Sequence, residues 1–161
     1  MKYIQGGPSG PSIVNGGPSP LPGSPALSMA ASWYSNPISL VAGFVAPDMV
    51  TVSCPYSVAS SPQGTFFLQG SISGFGVTGG VPGPNDWYTL PNTPIPISPS
   101  TYYQNIGGLT LPVQPATFRI DANHLIGTLF LRVGYAFAAG GSTDTASVYA
   151  VAVANFITGL S

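Results

Sequence analysis

The sequence predicts an all-β fold: an antiparallel β-sandwich or jelly roll of roughly eight short strands. Three observations carry this prediction. Charged residues make up 4% of the chain and glutamate is absent, whereas exposed helical faces normally carry Glu, Lys and Arg. The 21 glycines and 18 prolines weaken or break helix interiors wherever they fall. Apolar residues recur with a period of two, most clearly at Ala116, Phe118 and Ile120 and again at Leu129, Leu131, Val133, Tyr135 and Phe137. That period marks strands with one buried face, and residues 116–137 read as a β-hairpin with His124 in its turn.

Taken in order, residues 1–32 form a Gly/Pro/Ser-rich segment without sustained periodicity. Proline lacks a backbone donor, so this segment is expected to stay out of central sheet positions and to run as an extended arm over a neighbouring subunit. Residues 33–161 form the sandwich domain. Residues 33–37 read as an aromatic turn ending at Pro37, and residues 38–46 (ISLVAGFVA) and 49–53 as strands. After the loop SVASSPQG comes a strong strand at 65–73, TFFLQGSIS, with Phe67 opposite Phe66 and Leu68. A glycine- and proline-rich loop at 74–86 leads to a short strand at 87–90, WYTL, and a proline-rich connection runs on to Thr101. Residues 101–106 form a strand led by Tyr102 and Tyr103, and GGLTLPVQP links it to the hairpin. The closing strand is 146–157, whose β-branched and aromatic residues outweigh its alanines.

Charge bounds the function classes. Three Lys+Arg cannot furnish the phosphate contacts that nucleic-acid binding needs, so no nucleic-acid partner is expected. No apolar run reaches the length of about 20 residues needed to cross a bilayer as a helix, so no membrane role is expected either. The N-terminus lacks the apolar core of a secretory signal. Cys54 is the single cysteine and His124 the single histidine, so no metal site and no cofactor are expected. A soluble monomer of this size normally carries a surface about a quarter to a third charged. A chain with net charge -1 is poorly protected against self-association, so the expectation is that assembly is its native state and its first partner is itself, ahead of the alternative of a secreted domain coated with Ser, Thr and Asn.

Candidate sites are weighed residue by residue. Gly74, Gly76 and Gly79 match a dinucleotide-binding pattern, but the continuation through Val81, Pro82 and Pro84 cannot open a helix. Asp121 and His124 lack a nucleophile-elbow serine, so no hydrolase triad and no catalytic residue is expected. Asp48, Asp86, Asp121 and Asp144 fall at turns and strand ends, where Asp serves local hydrogen bonding. Arg119 and Asp121 share one strand face, and Arg132 follows on the partner strand. An Arg–carboxylate pair at a subunit contact is the functional reading of these three, beside a surface pair of little energetic effect. Trp33–Tyr34, Trp87–Tyr88 and Tyr102–Tyr103 are adjacent aromatic pairs, and neighbours in a strand point to opposite faces. One of each pair is therefore core, and Trp87, Tyr88, Tyr102 and Tyr103 are candidates for interface or sugar-stacking roles.

The order TFFLQGS, DWYTL, YYQNI, P-x-T-F-R-I and G-T-L-F-L-R-V from Thr65 to Val133 resembles a small β-sandwich module of structural proteins in tailed-phage virions. In that module a strand ending in QGS precedes a W-x-x-L strand and an (F/Y)-R-I … G-T hairpin. Its serine–tryptophan loop is short, whereas here it expands to residues 72–86, so loop contacts do not carry over. The resemblance implies a non-enzymatic capsid-decoration or tail-associated protein located in the virion, with other virion proteins as further partners. The alternative is a carbohydrate-binding or adhesin module, with glycan as its ligand.

Overall fold

The computed structural model of the chain describes residues 2–7, 10–13, 27–40, 49–72, 82–112, 115–125, 128–140 and 143–154. Its strands in chain order are β1 (Lys2–Gly7), β2 (Gly10–Ile13), β3 (Leu27–Ser28), β4 (Trp33–Tyr34), β5 (Ile38–Ser39), β6 (Met49–Cys54), β7 (Gln63–Ser71) and β8 (Tyr88–Thr89). They continue as β9 (Ile95–Ile97), β10 (Tyr103–Ile106), β11 (Leu109–Pro112) and β12 (Ala116–Asp121). A single helical turn, α1 (Ala122–Leu125), precedes β13 (Phe130–Ala139), β14 (Thr145–Ala146) and β15 (Tyr149–Ala154). The class is all-β and every described pairing is antiparallel, as the alternation predicted. Among the described residues no helix is long and apolar enough to cross a membrane.

Two larger sheets share the core. The first runs β12-β6-β15-β1-β2 and the second β4-β13-β7-β8, with β5 also on β13 and β9 also on β7. In the first sheet Ala116, Phe118 and Ile120 of β12 face Cys54, Val52 and Val50 of β6, and all six are buried. In the second, Phe66 and Leu68 of β7 pack with Leu131, Val133 and Tyr135 of β13. These residues of both sheets belong to one hydrophobic cluster, where each fully buried large side chain contributes about 1.5–3 kcal/mol. Trp33 packs its ring against Phe66 and Tyr135, at centroid distances of 6.0 and 5.6 Å.

The expected hairpin at 116–137 does not form. Its two arms are strands, but β12 pairs β6 in one sheet and β13 pairs β7 in the other. The connection explains why: Asp121 accepts the backbone N–H of His124 at 3.3 Å, and α1 takes the place of a tight turn. Each arm then offers its apolar face to the shared core instead of to a common ladder.

The N-terminal expectation is also corrected. Lys2–Gly7 is an internal strand, between β15 and β2. The physical rule held while its application was too broad: KYIQGG contains no proline, and Pro11 lies on β2, at the end of the strand order, where proline is tolerated. Met1, Pro8, Ser9 and residues 14–26 of the expected arm lie outside the described residues. Three smaller corrections follow from pairing. Trp33–Tyr34 is a strand on β13 instead of a turn, Ile95–Ile97 adds an edge strand inside the expected connection, and Leu109–Pro112 pairs β10.

Candidate functional site

The outward face of the second sheet gathers aromatic side chains around one arginine. Alternation along β13 sends Leu131, Val133 and Tyr135 inward and Arg132 and Gly134 outward. On one cross-strand rung, Arg132 faces Gln69, which faces Thr89. The Arg132 Nε–H donates to Gln69 Oε1 at 2.9 Å, and Gln69 Nε2 donates to Thr89 Oγ1 at 3.3 Å. On the next rung, Tyr34, Gly134 and Phe67 stand side by side. Phe67 lies across the space a side chain at residue 134 would fill: a Cβ there would come within 2.3 Å of its ring. The Tyr34 ring meets Phe67 edge-on at 6.2 Å.

Arg132 is clamped between two rings. Its guanidinium carbon lies 3.9 Å from the Tyr34 ring centroid and 4.2 Å from that of Trp87. Both rings present their negative faces to the cation, an arrangement worth about 0.5–2 kcal/mol per contact depending on desolvation. Burial between them lowers the Arg132 pKa from its ordinary value, while the guanidinium stays charged. The clamp holds a cation without a carboxylate.

The expected Arg119–Asp121–Arg132 constellation is accordingly not brought together within the chain. Arg119 and Asp121 share the exposed face of β12 as expected, while Arg132 belongs to the other sheet. Asp121 accepts from His124 Nδ1 at 2.8 Å, and that hydrogen bond lowers its pKa below the ordinary 3.8. Arg119, Asp121 and His124 border a cleft of about 260 Å³ closed on its other side by Leu90–Thr93. The hydroxyl in its lining, that of Thr93, is already used: it donates to Leu90 O at 2.8 Å and accepts the Leu68 N–H at 3.2 Å. Among the described residues no group of three or more His, Cys, Asp or Glu is placed to hold a metal ion.

The aromatic pairs divide as alternation predicts in two cases of three. Trp33 packs on the core while Tyr34 is 52% exposed, and Tyr102 is buried while Tyr103 is 51% exposed. Tyr102 is thus a core residue and not an interface candidate; its hydroxyl donates to Pro62 O. Trp87 and Tyr88 break the pattern, since Trp87 is half-buried over Arg132 and Tyr88, 41% exposed, shares a 2.6 Å hydrogen bond with Thr128. Tyr34 and Phe67 complete the cluster, although neither is among the interface candidates that the sequence offers. The signal for both lay in the strand alternation, which put them opposite Trp33 and Phe66. Gly74, Gly76, Gly79 and Asp48 lie outside the described residues.

Compared with models of known families, with curated proteins and with solved structures, the chain matches none.

Proposed function

We propose that the chain is a non-enzymatic structural subunit of a virus particle, an antiparallel β-sandwich that assembles with copies of itself through its sheet faces and loops. The observation that carries the reading is the outward cluster of Tyr34, Arg132 and Trp87 on a chain with only 4% charged residues. Trp, Tyr and Arg are the residues in which protein–protein binding energy concentrates, and charged residues are depleted at interface centres. Two cross-strand rungs fix the cluster on a sheet, so its shape exists before a partner arrives and little ordering entropy is lost on docking. The virion setting rests on the strand motifs between Thr65 and Val133, and other virion proteins are the further partners it implies.

The experiment is sedimentation of the purified protein over a range of concentration, with electron microscopy of its native source. The reading expects oligomers in solution and a regular array in the source. A protein that stays monomeric at millimolar concentration and is retained on a glycan surface would overturn it in favour of the adhesin reading. The geometry gives that rival less support. Its proposed aromatic platform is divided between the core (Tyr102), the arginine clamp (Trp87), a hydrogen bond at the end of the ring (Tyr88) and a separate ribbon (Tyr103).

A further inference from the structure

β10 and β11 form a ribbon that belongs to neither larger sheet. Ile106 faces Leu109 across the last rung, and Gly107 and Gly108 close the turn with φ of +59° and +85°. Two consecutive residues in the left-handed region make the tight turn whose twist matches a hairpin, so the register is fixed. Asn105 Oδ1 accepts the Gly108 N–H at 3.0 Å and locks the tip further. Yet every residue of β10 is exposed, and at the tip Ile106 and Leu109 are 55% and 66% exposed. Residues 101–112 contain no charge at all.

Such a ribbon is incomplete by itself. A two-stranded hairpin is marginally stable in water and needs a third strand or a packed face. Exposed strand edges are usually blunted by lysine or other charges, and these edges carry none. Ile106 and Leu109 project together from one face, an apolar pair at the end of a preformed knob.

Resting on the assembly reading above, we infer that this hairpin docks on a second copy of the chain, its Ile106–Leu109 tip seated on the outward face around Tyr34, Phe67 and Arg132. Charge selects the occupant. An uncharged hairpin placed on an ordinary surface, about a quarter charged, would strip water from charges without replacing their partners. This chain's own outward face lowers that penalty, because two rings already cover the faces of Arg132, its cation, and only the guanidinium edge is left to be satisfied. Among the described residues the Arg132 Nη groups make no hydrogen bond, and β10 and β11 pair only with each other, so outward backbone carbonyls of the hairpin are neutral acceptors for them. Knob and seat are different surfaces, so the contact is heterologous and propagates into rings or extended arrays.

The test uses the full chain. Gln104→Cys places a thiol on the tip face of the hairpin, and Ala136→Cys places one on the outward face, one rung beyond Gly134 and outside the clamp. Native Cys54 is silent, being fully buried with its thiol pushed up to about 12. The two variants are mixed and treated with a short bis-maleimide. The expected result is a cross-linked dimer in the mixture, well above the yield of either variant alone. In parallel, Ile106→Ser with Leu109→Ser should raise the concentration needed for assembly about a hundredfold, with circular dichroism and melting unchanged. If wild type assembles, and the mixture gives no cross-link or the double variant assembles at the wild-type concentration, the seat is wrong and the assembly reading stands. If wild type remains monomeric, the assembly reading falls and the docking with it.

Discussion

Asp144 is the buried carboxylate of this chain among the described residues, 1% exposed and fully partnered. One oxygen accepts the Ser57 hydroxyl and the other the Ser60 N–H at 2.8 Å, tying residues 57–60 to the segment before β14. Its own backbone C=O accepts the Met29 N–H at 2.9 Å, so one residue joins three stretches of chain. Asp144→Ala removes two hydrogen bonds to a buried carboxylate, and we expect a loss of about 2–3 kcal/mol in urea unfolding, with Asp144→Asn less harmful because it keeps one acceptor. Asp121 behaves differently because it is exposed. The His124 hydrogen bonds hold its carboxyl below 3.8, so whatever stability the contact gives is present above that value and is lost as pH falls through the lower folded pKa. His124→Ala removes the imidazole hydrogen bond, the largest cause, but keeps the backbone N–H, so it should raise the Asp121 titration toward the ordinary carboxylate range without restoring it fully, as read by carboxyl-carbon NMR. An unchanged midpoint would show that the His124 imidazole is not the cause.

At the scale of elements, the strands were legible wherever one face is buried, since burial imposes the period of two that Ala116, Phe118 and Ile120 display. Their partners were not legible. Which strand β12 joins depends on Val50 and Val52, far away in sequence, and on the helical turn that replaced the expected hairpin bend. The rings that Arg132 meets within the chain were not legible, because they arrive from β4 and from the residue before β8, and spacing along β13 carries no trace of either. The β4-β13-β7 rung offers a direct test of this local architecture. Gly134→Ala sets a methyl against the Phe67 ring, which is hemmed in by Tyr34, and should cost about 1–3 kcal/mol in thermal unfolding. Phe67→Ala removes the obstacle, so Gly134→Ala should be close to neutral in that background. Additive losses in the double-mutant cycle would mean that Phe67 does not occupy the glycine's space.

For the whole molecule, scarcity of charge bears on the assembly proposed above. With three Lys+Arg and four Asp in 161 residues, little long-range field exists to steer or to repel copies. Asp121 is engaged by His124, and Arg132 is held by rings and an amide, so neither depends on a carboxylate–guanidinium pair. In the proposed assembly, contacts between copies would rest on apolar burial and neutral hydrogen bonds, which salt does not screen. Raising sodium chloride from about 0.1 M to 1 M shortens the Debye length from about 10 Å to 3 Å and weakens exposed ion pairs. Replacing the chloride by sulfate strengthens apolar burial. We therefore expect the assembly midpoint, followed by light scattering, to stay constant or fall to lower protein concentration with chloride, and to fall clearly with sulfate. Dissolution of the assembly by 1 M sodium chloride would reverse this picture. It would place ion pairs at the contact, with Arg119, exposed on β12, the first residue to substitute.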